Sequence, residues 1–235
     1  MEKERISIKG IPAILYGKPS NQVFIAIHGN KSHKEDPVIE LLAKVVCQQG
    51  YQVLSFDLPE HGDRQEEATL CVVQECILEL KKIFNYALQN YQTISLFGCS
   101  LGAYFSLMAY FDIIFKQCLF LSPVVDMKKL LDTMMGWFNI DEATLKEKQI
   151  INLPIDEVLY YDYYEYVKKH PVKKWKSKTM ILCGSLDNVI DLNDVKAFCQ
   201  QFQGDLQIME NGEHYFHSEK QLAYLENWIK EKMEG

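Results

Sequence analysis

Short apolar runs alternate with amphipathic helical stretches along most of the chain. Apolar segments of strand length occur at 22–27, 51–56, 93–97, 117–121, 178–183 and 205–209. Helical periodicity separates or follows them at 38–49, 70–88, 103–110 and 217–233. Short strands that are apolar on both faces and are separated by helices indicate a mostly parallel sheet covered on both sides. The pattern therefore predicts an α/β fold.

The N-terminal segment from Ile6 to Tyr16 has a different pattern. It carries Gly10, Ile11 and Pro12 in its middle, which is typical of a hairpin at the edge of a sheet. Together with the six apolar segments, this hairpin gives a predicted sheet of eight strands.

The interval 126–175 breaks the alternation and is too long for a simple crossover. It contains apolar residues at helical spacing, followed by a cluster of five tyrosines between 160 and 166. We predict a helical lid (cap) inserted after the sixth strand, above the sheet edge where such folds bind ligands. The chain then divides into a core of 1–125 and 176–235 and a lid of 126–175. The lid residues expected to contact a substrate are Met134, Trp137, Phe138, Tyr160 and Tyr164. The alternative, that these side chains only pack the insertion onto the core, remains open.

Composition narrows the class of partner. The chain has 235 residues, of which 48% are hydrophobic, so it can bury a full core. A net charge of −7 argues against nucleic acid or an anionic membrane as partner. Seven scattered cysteines without a C-x-x-C pair predict neither a metal site nor a disulfide framework. We find no apolar stretch of membrane-spanning length and no signal-like start, and we therefore expect a cytoplasmic protein.

The pentapeptide Gly98-Cys99-Ser100-Leu101-Gly102 lies between an apolar strand and a helical stretch. Strand, G-x-S-x-G and helix form the sequence context of a nucleophile elbow. In this tight turn the serine has a strained backbone, and the flanking glycines let strand and helix approach. Ser100 is therefore the candidate nucleophile.

A serine hydroxyl near pH 7 needs a neutral imidazole to take its proton and a carboxylate to orient that imidazole. After an elbow of this kind, the acid and then the histidine follow along the chain. Asp187 follows the strand at 178–183, and His214 lies in the loop after the last strand. Asp191 and Asp194 are the competing acids, but both lie where the next helix would start, and helix capping explains their presence there. The competing base is His217.

Attack on a carbonyl produces an oxyanion that two converging N–H groups should bind. One is the backbone N–H of Leu101, directly after the nucleophile. The other is expected from the loop after the first central strand, where His28-Gly29 lets the backbone turn closely. The best-placed second donor is the backbone N–H of Asn30, and we interpret His28 as a brace for this turn.

The sequence resembles small α/β-hydrolases of the carboxylesterase and serine-aminopeptidase-like group. The resemblance rests on HGN at 28–30, DLPEHGDR at 57–64, GCSLG at 98–102, GSLDNVI at 184–190 and NGEHYF at 211–216. It implies an α/β-hydrolase fold and a serine hydrolase that cleaves small to medium carboxylic esters without a cofactor or a metal. Thioesterase, aminopeptidase or acyltransferase activity with the same residues, or a non-catalytic binding member of the fold, are the alternatives. Monomer and homodimer both remain open.

Overall fold

An eight-stranded sheet forms the centre of the computed structural model, which describes residues 1–234. Its strands are β1 (Lys3–Ile8), β2 (Ile11–Tyr16), β3 (Gln22–Ile27), β4 (Gln52–Phe56), β5 (Thr93–Cys99), β6 (Cys118–Leu121), β9 (Thr179–Gly184) and β10 (Asp205–Met209). A separate pair consists of β7 (Ile150–Leu153) and β8 (Glu157–Tyr160). The large sheet has the order β1-β2-β4-β3-β5-β6-β9-β10. The N-terminal hairpin pairs antiparallel at one edge, and all pairs from β4 to β10 are parallel. The predicted eight-stranded, mostly parallel sheet is confirmed.

Helices cover both faces of this sheet. They are α1 (Pro37–Val46), α2 (Val73–Asn90), α3 (Leu101–Ala109), α4 (Met127–Trp137), α5 (Glu142–Lys148), α6 (Tyr161–Lys169), α7 (Leu192–Phe202) and α8 (Glu219–Glu234). Helices α1 and α8 pack on one face around a cluster that includes Leu42 and Trp228. Helices α2, α3 and α7 contribute to the cluster on the other face. The α/β fold with helices on both faces is therefore confirmed.

The inserted segment 126–175 differs in one respect from the prediction of a purely helical lid. Besides α4, α5 and α6, it contains the antiparallel pair β7–β8. The turn between these strands includes Asp156 at a positive φ of 59°. The buried side chains of the inserted segment, among them Leu153 and Tyr163, belong to the same hydrophobic cluster as the residues on one face of the sheet. The division into a core and a separate lid stays a prediction.

Two buried ion pairs hold the loops that follow β3 and β4. Lys34 Nζ lies 2.5 Å from Asp57 Oδ2 and 2.7 Å from Asp63 Oδ2. Arg64 donates two hydrogen bonds to the Glu79 carboxylate, at 2.6 and 2.8 Å. Because the Lys34 and Asp57 side chains are almost fully buried, removing either partner would leave an uncompensated charge in the interior. These pairs fix the loops in place at the C-terminal edge of the sheet.

All seven cysteines lie in the described part of the chain and are free thiols. Cys99, which precedes Ser100, is buried, and burial raises the pKa of its thiol well above the ordinary value. A thiol with a raised pKa carries little of the reactive thiolate.

No helix within residues 1–234 is both long and apolar enough to cross a membrane.

The loops after β9 and β10 pack backbone against backbone. The N–H of Leu186 donates to the carbonyl of Gly212 at 2.8 Å. A Cβ atom on Gly184 would lie 2.2 Å from that same carbonyl oxygen, so a side chain does not fit there. The two glycines therefore set the distance between these loops.

We expect Gly184→Ala to lower the free energy of unfolding by about 1–3 kcal/mol, because the backbone of Gly212 must move to admit the methyl group. Gly136→Ala is the matched control, since nothing lies within 4 Å of a Cβ at this position in α4. The free energy of unfolding of this control variant should be unchanged or higher by up to about 1 kcal/mol. Urea denaturation measures both, and equal midpoints for the two variants would contradict this account of the contact.

Candidate active site

Ser100 occupies a sharp turn between β5 and α3. Its backbone has φ 46° and ψ −111°, a conformation that residues with a side chain rarely adopt. A Cβ on Gly98 would lie 2.9 Å from Cα of Ala103, and one on Gly102 would lie 2.4 Å from the His28 carbonyl oxygen. Strand, helix and the neighbouring loop thus approach closely only because both positions are glycine. The turn presents the Ser100 hydroxyl at the C-terminal edge of the sheet.

A chain of hydrogen bonds joins Ser100, His214 and Asp187. Ser100 Oγ lies 2.9 Å from His214 Nε2, and His214 Nδ1 lies 2.7 Å from Asp187 Oδ2. The other carboxylate oxygen of Asp187 accepts hydrogen bonds from the N–H groups of Val189 and Ile190. The Asp187 and His214 side chains are buried. An ionised carboxylate keeps the proton of a neutral imidazole on Nδ1, which leaves Nε2 free to accept from the serine hydroxyl.

The competing residues have other contacts. Asp191 caps α7, because its carboxylate accepts a hydrogen bond from a backbone N–H of the first turn. Asp194, in the first turn of α7, accepts a hydrogen bond from Lys129 at 2.8 Å. His217 is exposed, and its Nδ1 lies next to a backbone carbonyl of its own loop. Among these candidates, His214 contacts Ser100 and Asp187 contacts His214.

Asn30 and Leu101 carry the two backbone N–H groups that the sequence predicts as oxyanion donors. Both residues line the same cavity as Ser100, and Leu101 is the first residue of α3. Gly29 allows the close approach, since a Cβ there would lie 3.4 Å from Ser100 Cβ. Within residues 1–234, neither N–H group donates to a protein acceptor. Both donors are thus available for a negatively charged oxygen.

His28 is fully buried and stabilises the loop that carries Asn30. Its Nδ1 lies 2.7 Å from the Gly29 carbonyl, and its Nε2 accepts a hydrogen bond from the N–H of Leu58. Because a ring nitrogen that accepts must be unprotonated, this imidazole is neutral with its proton on Nδ1. Burial lowers the pKa of His28 to about 3.

A cavity of about 800 Å³ opens onto Ser100 and His214. Of the five residues predicted to contact a substrate, Met134, Trp137 and Tyr160 line it. Phe138 and Tyr164 do not line it. The Tyr164 ring is buried, and its hydroxyl donates to a carboxylate oxygen of Asp132.

Sequence reasoning missed several residues of the cavity wall. Met127, Leu130 and Leu131 of α4 line it together with Met134. Their spacing of three, four and seven residues places them on one helix face, and this periodicity could have identified them. Among the described residues 1–234, no three or more His, Cys, Asp or Glu side chains form a cluster suited to a metal ion.

The sheet order, the strained serine turn after β5 and the position of the other two side chains after β9 and β10 define an α/β-hydrolase fold. The sequence model of the uncharacterised protein family UPF0227 matches residues 26–229, and the chain belongs to this family. No curated protein matches the sequence significantly.

Solved structures share the fold over nearly the whole chain. Est1E from Butyrivibrio proteoclasticus, solved with bound ferulic acid, has 21% sequence identity, and its TM-score is 0.77 over 98% of this chain and 97% of that protein. Mouse alpha/beta hydrolase domain-containing protein 10 has 14% identity and a TM-score of 0.76, covering 100% and 99% of the two chains. The Pyrococcus furiosus esterase Pf2001 has 19% identity and a TM-score of 0.70, with coverage of 99% and 90%. At these identities, the likenesses establish the fold.

The low pKa of His28 predicts a pH dependence of stability. Because this pKa is about 3 in the folded chain and ordinarily 6.5, the unfolded state binds more protons between these values. The contribution of His28 to the free energy of unfolding therefore falls as the pH drops below about 6.5. The side chain in His28→Asn does not titrate between pH 5 and pH 7. We therefore expect the difference in free energy of unfolding between wild type and this variant to shrink by about 2 kcal/mol from pH 7 to pH 5. Urea midpoints at both pH values measure this, and an unchanged difference would mean that folded His28 gains a proton.

Proposed function

We propose that this protein is a serine hydrolase that cleaves small to medium carboxylic esters through an acyl-enzyme formed on Ser100. The observation that carries the proposal is the hydrogen-bonded chain from Ser100 through His214 to Asp187, with Ser100 at the wall of a large cavity. One protein with the same fold, Pf2001 from Pyrococcus furiosus, is described as an esterase, which supports the same class of reaction here.

The first half of the reaction forms the acyl-enzyme. Ser100 Oγ attacks the ester carbonyl while His214 Nε2 takes the hydroxyl proton. Asp187 accepts the Nδ1–H bond throughout and stabilises the imidazolium that forms. The negative charge on the carbonyl oxygen is bound by the N–H groups of Asn30 and Leu101. Collapse of this intermediate breaks the ester bond, and His214 returns the proton to the leaving alcohol.

The second half releases the acid. A water molecule enters from the cavity, gives a proton to His214 Nε2 and attacks the acyl carbon. The oxyanion binds to the same two N–H groups, and the Ser100 oxygen then leaves with the proton from His214. The buried Asp187 carboxylate keeps its hydrogen bonds in both halves, so the imidazole does not have to reorient between them.

The cavity wall favours an ester over an aminoacyl amide. A peptidase that selects a free amine needs a carboxylate free to bind the cation, and the insertion carries four candidates. Asp156 and Glu157 line the cavity, but Lys31 Nζ lies 3.8 Å from the first carboxylate and 3.3 Å from the second, so a cation of the protein already faces both. Glu165 is bound to Lys169, and Asp162 is exposed outside the cavity. Apolar residues of α4 also line the cavity, which suits an uncharged acyl or alcohol group.

We expect purified wild-type protein to hydrolyse p-nitrophenyl acetate and butyrate. Ser100→Ala should lower kcat by about 10⁴-fold or more, because no other group can form the acyl-enzyme. A fluorophosphonate probe should modify Ser100 in the wild type, as read by peptide mass spectrometry. Equal hydrolysis rates for wild type and Ser100→Ala, or a wild type that the probe leaves unmodified, would refute the proposal.

The same assay can test Asp187, with Asp191 as the matched control. Asp187→Asn should lower kcat by about 10³–10⁴-fold, because an amide no longer holds the imidazole in the required tautomer. Asp191→Asn should stay within about twofold of wild type, since asparagine caps a helix as well as aspartate does. Similar losses in both variants would assign the effect to the general fold rather than to the triad.

A further inference from the structure

The loop that carries Asn30 is held from the side of the core by His61. The N–H of Lys31 donates to His61 Nε2 at 3.0 Å, and His61 Nδ1 lies 2.7 Å from the carbonyl of Pro59. This contact fixes the backbone just after Asn30. His61 belongs to the loop after β4, which is held by the buried ion pairs of Asp57 with Lys34 and of Arg64 with Glu79.

The same loop is also held by Glu157, at the start of β8 in the insertion. Glu157 Oε1 accepts a hydrogen bond from Asn30 Nδ2 at 2.8 Å and lies 3.3 Å from Lys31 Nζ. Lys31 Nζ also donates to the backbone carbonyl of Ile155, in the turn before β8. Lys31 Nζ also lies 3.8 Å from Asp156 Oδ2, so four contacts join the β7–β8 hairpin to two consecutive residues of the loop.

The backbone of this loop is in a conformation that needs such support. Lys31 has a φ of 55°, which is unfavourable for a residue with a long side chain. Its N–H is bound by His61 and its ammonium group by the hairpin, so the strained residue is fixed at both ends. Asn30 directly precedes Lys31, so a relaxation of the strained Lys31 backbone would also shift the backbone of Asn30.

We propose that Glu157 is a positioning residue that holds the Asn30 N–H in the direction of the developing oxyanion. This inference rests on the proposed function, because it assigns Asn30 as an oxyanion donor. It makes the inserted segment part of the reaction machinery. The contacts of Glu157 and Ile155 with this loop hold the second donor in place.

The positioning role predicts an effect on kcat rather than on KM. Hydrogen bonds to the oxyanion form in the transition state, so a misdirected donor slows the chemical step and leaves ground-state binding unchanged. Removing an oxyanion donor costs about 10²–10³-fold in kcat. Because Glu157→Ala loosens the donor without deleting it, we expect a smaller loss of about 10-fold.

The test compares Glu157→Ala, Glu157→Gln and Asp162→Asn with wild type. Glutamine keeps an oxygen that accepts from the Asn30 amide, so Glu157→Gln should recover most of the lost kcat. Asp162→Asn removes a negative charge from the exposed first turn of α6 in the same insertion, outside the cavity. Asparagine can still accept from the Tyr163 N–H, so this variant should stay within about twofold of wild type. We would measure kcat and KM for p-nitrophenyl butyrate and the rate of Ser100 modification by a fluorophosphonate. Urea midpoints would verify that each variant is folded.

The expected result is a Glu157→Ala variant that is folded, has an unchanged KM, and shows matching decreases in kcat and in the rate of Ser100 modification. A wild type that reacts at Ser100, together with a Glu157→Ala variant that reacts equally fast, would overturn this inference alone. A loss seen only in KM, or an equal loss in Asp162→Asn, would also overturn it. A wild type that neither hydrolyses the ester nor reacts with the probe would overturn the proposed function and this inference together.

Discussion

The close packing of β5, α3 and the loop after β3 around Ser100 is the constraint on which the rest of the site depends. The serine keeps its positive φ only because side chains are absent at Gly98 and Gly102, where backbone atoms of neighbouring segments take up the space. This packing places the hydroxyl at the sheet edge and the first N–H of α3 beside it. His214 contacts the hydroxyl that this turn positions.

Three further loops reach the turn, and each is secured by contacts away from it. The loops that carry Asp187 and His214 pack on each other through Gly184 and Gly212. The loop with Asn30 is braced by the neutral His28 and by buried ion pairs beneath it. Rigid support of this kind is what electrostatic stabilisation of a transition state requires, because donors that are already oriented need not reorganise during the reaction. The inserted segment adds the contact of Glu157 to this arrangement.

Much of the fold could be predicted from the sequence because its signals are local. Buried parallel strands produce continuous apolar runs, and the elbow needs glycines at fixed positions around Ser100. The β7–β8 pair was missed because its strands are four residues long and their burial depends on packing against the core. An aromatic cluster does not reveal which ring of a helix faces the cavity, and Tyr164 does not line it. The contact of Glu157 with Asn30 joins residues 127 positions apart, which a single sequence cannot reveal.

A crystal structure of the protein after reaction with a fluorophosphonate tests the central claim most directly. A phosphonyl group on a serine imitates the tetrahedral intermediate and carries an oxygen where the oxyanion would form. The account predicts a covalent bond to Ser100 Oγ, with that oxygen about 2.7–3.1 Å from the backbone nitrogens of both Asn30 and Leu101. An unmodified Ser100, or a phosphonyl oxygen that turns away from these two nitrogens, would contradict it.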